Sequence, residues 1–331
     1  MFIIETLTAE IPDTNAYHFK MSKDSEQGSD TSLSYGYNSS FNPYVRETTK
    51  DYTRKVFFNN WSPCEFAQST DHFGRTALEY DEHFTEIYSI CPYTNKWLNT
   101  MGFDRKYRDI FYPFNKNLIP EHTEKKYDVI YHGGIHGQQH LDCLEVMQKF
   151  NYRYCSMTHG INPLTIECMK HTTNKDLSFQ EKINLVEQTK ISVCYNIAHI
   201  QPEHIPNIKS WERWNENEAF SEVDGLNVMP QFKTRIHEAA ISKTLNLVQK
   251  DNWNITEKYY EPDKEFIYFT DKQDLEDKIR EISSNWKEYI PIVENAYNKS
   301  LNYTTDKFLS IIENNKEWNS CQSAEAVATQ N

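Results

Sequence analysis

Arg235 and Glu238 stand three residues apart within residues 228–251, VMPQFKTRIHEAAISKTLNLVQKD. On a helix that spacing places both side chains on one face. A guanidinium pairs with phosphate through two parallel hydrogen bonds. A carboxylate accepts from the two hydroxyls of a ribose. Together the two residues suit the two ends of a nucleotide-sugar donor. The same spacing also builds an ordinary intrahelical ion pair on a solvated surface. Ala239 and Ala240 follow, and residues 244–249 then alternate apolar and polar at strand period. The pair is therefore expected near the start of a helix that leads into a strand.

A second constellation lies at 127–150. YDVIY reads as a strand, Gly133 and Gly134 as the turn after it, and 138–150 as a helix with Leu141, Leu144 and Met147 on one face. In open α/β sheets, ligands bind beyond the carboxyl ends of the strands. Glycines there let backbone N–H groups approach a phosphate, and the following helix N-terminus favours negative charge. The run is neither GxGxxG nor a P-loop, and a plain tight turn reads the same way. His132, His136 and His140 are spaced four apart. With no HExxH, no carboxylate placed as a third ligand and no zinc spacing completed by Cys143, they read as polar loop and helix-surface histidines. One of them in contact with a donor phosphate stays open. There is no GxSxG, GxxxxGK[ST], kinase signature or Asp-x-Asp. A donor diphosphate held by a divalent ion needs such paired carboxylates. The phosphate charge is thus expected to be met by Arg, Lys and helix N-termini, with no metal and no cofactor other than a nucleotide-diphosphate sugar as co-substrate.

The elements that must position these residues are read as follows. Residues 1–50 carry little periodicity, and 23–40, rich in Ser, Asp, Gly and Asn, reads as loop. Strands are expected at 55–60, 85–91 and 107–114, with a short helix at 93–101. The polar stretch 115–126 is the candidate interdomain linker. Beyond it come strands at 127–131, 152–157, 191–195, 244–249 and 265–269. Ser178 with Glu181 forms a capping box opening a helix with Ile183 and Val186 inward. Asp271 caps a helix carrying Leu275, Ile279, Ile282 and Trp286 on one face. Helical stretches at 288–298 and 304–314 follow, and 319–331 reads as a frayed tail. The alternation of strands and helices predicts parallel α/β sheets in two domains, at 1–118 and 124–318.

Composition bounds the partners. The chain has 331 residues, 38% hydrophobic and 14% aromatic, which is globular and long enough for two cores. Its 48 acidic against 35 basic residues give −13, which argues against general nucleic-acid or anionic-membrane binding. Seven cysteines with no CxxC read as reduced thiols of a cytoplasmic protein. MFIIETL lacks the basic flank and apolar core of a signal peptide, and no apolar run approaches the ~20 residues of a transmembrane helix. Sequons at Asn38, Asn254, Asn298 and Asn302 are expected to be chance.

An ordered series then resembles a known family: YDVIYHGG, ISVCYN, TRIHEAAISKTLNLVQKDN, EPDKEFIYFTDKQDLEDKIREI and AYNKSLNYTTDKFL, spanning about 124–315. It is similar to the GT-B glycosyltransferases, and within them to the group 1, spore-maturation (CgeB-like) glycosyltransferases. The first half resembles the acceptor-side domain only through TNKWLNTMGF and the strand ending in YPF. The resemblance implies two Rossmann-like domains with an interdomain cleft, and transfer of a sugar to a glycan, protein or small-molecule acceptor, with retention. It matches Glu238 to the carboxylate that binds the donor ribose and Arg235 to the basic residue near the diphosphate. Gly133 and Gly134 match the phosphate-facing loop, and Asn196 lies where a loop borders the nucleotide. Two positions depart from the family. Pro230 stands where an earlier Glu is frequent, and Lys243 stands where the helix usually ends in Gly, so that turn is expected to differ. Asp71, His72, Asp81 and His83 are candidate bases towards an acceptor. A sugar-nucleotide epimerase or hydrolase, and a non-catalytic binding protein on the same scaffold, remain alternative readings.

Overall fold

The computed structural model describes residues 2–5, 30–35, 43–59, 82–90, 95, 107–134, 137–155, 163–175, 177–199, 221–223, 226–316 and 318. The chain divides into two compact units. One comprises Met1–Asn115, Ile200–Ser221 and Thr305–Asn331, and the other Lys116–His199 and Glu222–Thr304.

The first unit carries a five-stranded sheet: β1 (Phe2–Glu5), β2 (Thr31–Tyr35), β3 (Arg54–Asn59), β4 (Glu86–Ser89) and β5 (Tyr107–Asp109), ordered as numbered, with every neighbour parallel. Helix α1 (Pro43–Thr49) joins β2 to β3. Leu33, Val56, Phe57, Phe58, Ile87 and Tyr88 are buried. β2 falls inside the stretch expected to be loop. Its Ser32 and Ser34 are fully buried in mid-sheet, so the polar letters that read as loop belong to a core strand. The strand expected at 107–114 stops at Asp109. The closing helix Thr305–Glu313, expected with the second domain, groups with the first unit. There Phe308 is buried with its ring 4.8 Å from that of Phe58 and 6.0 Å from that of Phe111. The helix expected at 93–101 is described only at Asn95, and the tail 319–331 lies outside the described residues.

The second unit carries β6 (Tyr127–His132), α2 (Gln138–Met147), β7 (Tyr152–Cys155), α3 (Pro163–Met169), α4 (Phe179–Glu187) and β8 (Thr189–Cys194), then β9 (Ile197–His199), β10 (Ser221–Val223) and β11 (Leu226–Pro230). It continues with α5 (Arg235–Ile241), β12 (Leu245–Gln249), β13 (Ile267–Phe269), α6 (Lys272–Ser284) and α7 (Trp286–Ser300). Its main sheet is parallel in the order β13-β12-β8-β6-β7. Val129 sits opposite Ile191 and Leu247 opposite Val193. These apolar, two-sided strands are covered by helices on both faces: α2 packs on α3 and α6, and α5 packs on α4 and α7. A small sheet ordered β10-β11-β9 accompanies it, with Pro230 opposite Ile197.

Local signals explain the helix ends. The Ser178–Glu181 capping box is present in both directions, with Ile183 and Val186 buried. Asp271 accepts from the backbone N–H groups of Gln273 and Asp274, both at 2.9 Å. Leu275, Ile279 and Ile282 are buried as their spacing requires, but Trp286 begins α7 instead of ending α6. α5 ends in a Schellman turn: Thr244 N–H reaches the Ala239 carbonyl (3.0 Å) and Lys243 N–H the Ala240 carbonyl (3.1 Å). Lys243 takes φ +49°, the left-handed conformation that glycine usually supplies. The turn therefore keeps its hand, against expectation, and a lysine bears the conformation. The stretch expected as linker is pinned to the second unit: Thr123 N–H donates to Glu187 Oε1 at 2.6 Å, and Lys125 reaches the carbonyls of Glu187 and Ser242. Among the described residues no helix is long and apolar enough to cross a membrane.

Candidate functional site

In the second sheet the chain passes from β6 outward to β7 and then returns across β6 to β8. That reversal opens a crevice at the carboxyl ends of β6 and β8, where open α/β sheets bind ligands. Strand order is a long-range property, and it is what brings His132, Gly133, Cys194 and Asn196 to one edge.

At the end of β6, Gly133 has φ +145°. A Cβ there would lie 2.6 Å from Arg235 Cζ, so the absence of a side chain is what lets the guanidinium lie against the turn. The guanidinium also sits over the Tyr131 ring, 4.8 Å from its centroid. Its Nη1 is buried with no acceptor. The Gly133 N–H donates to the Cys155 carbonyl at 3.1 Å, so this amide is not available to face a phosphate. Gly133 contributes space instead of a donor. Gly134 accepts from Tyr131 Oη at 2.9 Å, and its own amide meets no acceptor among the described residues. Burial pushes the Tyr131 hydroxyl up to about 12, against the pull of Arg235, so it stays a neutral donor.

Glu238 lies one turn further along α5 and is 7% exposed. It makes no ion pair with Arg235. Lys182 Nζ, from α4, stands 3.0 Å from Oε1 and 2.9 Å from Oε2. His132 Nδ1, from β6, stands 3.1 Å from Oε2. Burial alone would raise the carboxyl. Lys182 first, then His132, outweigh it and hold Glu238 well below the usual carboxylate range. Burial lowers the His132 imidazole, and Glu238 opposes this only in part. His132 Nε2 meets Ser192 Oγ of β8 at 3.0 Å. The surface ion pair that the sequence left open is thus excluded. Both residues turn inward, to different partners.

Asn196 is buried, with both polar atoms of its side chain hydrogen-bonded. Nδ2 donates to Thr256 Oγ1 at 2.6 Å and Oδ1 accepts from Lys233 N–H at 3.0 Å, while its carbonyl accepts from Gln231 N–H at 2.9 Å. It fixes the loop that delivers Arg235, with one Nδ2 N–H given to Thr256. Asn246 of β12 supports the same helix by donating to the Ile236 carbonyl at 3.0 Å. Pro230 closes β11 beside that loop and is buried.

The remaining expected residues are placed as follows. His140 is buried, its ring 4.9 Å from that of Tyr195, and is not a surface residue. His136, Asp71, His72 and Asp81 lie outside the described residues. His83 Nε2 meets Thr49 Oγ1 at 2.6 Å. Burial pushes the thiols of Cys143, Cys155 and Cys194 up to about 12, which leaves them unreactive. Among the described residues no cluster of His, Cys, Asp and Glu is placed to hold a metal ion. Lys182 and Tyr131 are what sequence reasoning missed. Lys182 acts 56 positions from Glu238, on the solvent edge of a helix whose pattern shows only its buried face.

The family model described as "Glycosyl transferase-like" matches residues 135–307. No curated protein sequence matches the chain. Several solved structures share its fold at low identity. TarM of S. aureus is 13% identical at TM-score 0.56, over 87% of this chain and 55% of that one. HepE of Anabaena, in complex with UDP-glucose, is 14% identical at TM-score 0.56, over 91% and 79%. The pneumococcal O-GlcNAc transferase GtfA, in complex with UDP and GlcNAc, is 8% identical at TM-score 0.56, over 90% and 58%. The chain thus spans little more than half the length of TarM and of GtfA.

Proposed function

The chain belongs to the glycosyl transferase-like family, and from that premise we propose that it moves a sugar from a nucleotide-diphosphate sugar to an acceptor hydroxyl without a bound metal ion. The observation that carries this reading is the buried, unpartnered Nη1 of Arg235 beside Gly133 at the switch point of the second sheet. A charged donor nitrogen buried without an acceptor is costly, and a diphosphate would relieve that cost through the guanidinium fork. Breaking the sugar–phosphate bond develops negative charge on the leaving diphosphate. Arg235, the Gly134 amide and the N-terminus of α2 would stabilise it, each such donor contributing roughly 3 kcal/mol in a water-poor site. Glu238 would accept from the ribose. The absence of Asp-x-Asp supports a metal-independent mechanism. The spore-maturation subgroup, retention of anomeric configuration and a cytoplasmic location complete the proposal. Pro230, in place of a frequent Glu, favours one second reading: a donor-binding protein without transfer.

The test is thermal unfolding with UDP, GDP, ADP and dTDP, each with and without EDTA. UDP comes first, because it is named in the HepE and GtfA complexes. A ligand at 100 times its Kd stabilises by about 2.7 kcal/mol. One responder unaffected by EDTA is expected. A response abolished by EDTA would overturn the metal-free mechanism, and no response to any nucleotide would overturn the donor site. Sugar transfer to an acceptor, as against donor hydrolysis or epimerisation, separates the transferase from its alternatives.

A further inference from the structure

We propose that Lys182 is the positioning residue for the donor ribose: its ammonium, set across both oxygens of Glu238, fixes the orientation of the carboxylate that receives the hydroxyls. This inference rests on the donor reading above. Four elements face Glu238 besides its own helix. α4 contributes Lys182, at 2.9 and 3.0 Å. β6 contributes His132, at 3.1 Å. β7 contributes Cys155 and β8 contributes Cys194, both thiols kept neutral by burial. On α5 itself, Arg235 turns away to Gly133 and Tyr131. Lys182 is therefore the cation in contact with the carboxylate, because burial keeps His132 towards its neutral form. Lys182 is itself held, its Nζ 4.2 Å from the centroid of the Phe179 ring one turn earlier. A carboxylate oxygen has two lone pairs. Lys182 donates to Oε1 and stands within ion-pair distance of Oε2, so each oxygen retains a lone pair that a hydroxyl can use.

Without Lys182, Glu238 would keep only the His132 imidazole within contact distance, and the carboxylate would lose the ammonium that sets its orientation. The experiment compares dissociation constants of wild type, K182M and K182R at pH 7, for the responding nucleoside diphosphate, for its nucleoside and for its 2′-deoxynucleoside diphosphate. The expected result is a K182M loss of about tenfold, equal for diphosphate and nucleoside because both carry the ribose, and smaller for the deoxy ligand, with K182R near wild type. A merely structural role would weaken all three ligands alike. A K182M ratio near one for every ligand overturns the inference while the donor site stands. Wild type that binds none of the ligands overturns the donor reading and this inference with it. Should K182M fail to fold, E238Q and E238Q/K182M replace it. Once the carboxylate is gone, removing Lys182 is expected to cost no further affinity, and any further loss overturns the proposal.

Discussion

Gly133 lacks a side chain because Arg235 occupies the volume that one would fill. G133A therefore faces two costs, a collision with a buried guanidinium and a φ of +145° that alanine rarely adopts. A stability loss of about 1–3 kcal/mol is expected in urea unfolding. Since Arg235 must move, nucleoside diphosphate affinity falls while nucleoside affinity holds. R235K makes the same distinction by another route: lysine keeps the charge but loses the fork, so diphosphate binding weakens more than nucleoside binding, and equal loss of both would count against the assignment. His132 predicts the acid limb of stability. Its folded-state pKa is depressed below the unfolded value of about 6.5, so below that pH the unfolded chain binds the extra proton. Stability is then full above about pH 6.5 and falls on acidification by up to about 1.4 kcal/mol per pH unit, until the folded-state pKa is reached. Glu238, whose pKa is depressed, adds stability that is full above its unfolded value of about 4.3 and is lost only below it. Burial lowers the His122 imidazole as well, so H132Q should reduce the slope between pH 6.5 and 5 without abolishing it, while leaving the loss below pH 4 in place.

At the level of elements, the turn after α5 offers the sharpest test. Lys243 takes a left-handed conformation that costs a residue with a Cβ roughly 1 kcal/mol. In return its Nζ pairs with Glu294 at 2.7 Å and lies 4.8 Å from the Tyr297 ring centroid. The two members of that ion pair are partly exposed, at 26% and 42%, so solvent screens the pair and it adds little. K243G is expected to match or exceed wild-type stability by up to about 1 kcal/mol, and K243V to lose more than that, by chemical denaturation. The departure from glycine was legible in the sequence; its consequence was not, because hydrogen bonds to Ala239 and Ala240 decide the hand of the turn. The same division runs through the molecule. Capping at Ser178 and Asp271 and the buried faces of α4 and α6 were readable because their causes lie within four residues. β2 was unreadable because Ser32 and Ser34 are buried by neighbouring strands and not by their own chemistry. Arg235, Glu238 and Gly133 were readable as residue types, yet the partners of each come from other elements. The Cys155 carbonyl takes the amide expected for phosphate, and Lys182 takes the carboxylate expected for ribose alone.

At the scale of the whole molecule, each unit is assembled from separated stretches, so the chain's last described helix acts on its first core. The apolar spacing of residues 304–314 announces a helix with one buried face, but nothing local says which sheet that face covers. Phe308 gives the answer: it is fully buried, packed edge-on against Phe58 of β3 and against Phe111. The backbone agrees, since Thr305 N–H donates to the Phe114 carbonyl at 2.9 Å. Truncating such a ring leaves a cavity, and F308A is expected to cost about 3–5 kcal/mol. The loss should be local to one unit. Hydrogen exchange in F308A should accelerate at the amides of β3 and β4, while those of β6 and β8 keep their protection. Nucleoside diphosphate binding, proposed above to draw on residues of the second unit, should survive in F308A at temperatures where the first unit still holds. Exchange that opened β6 while β3 stayed protected would instead place the closing helix with the second core.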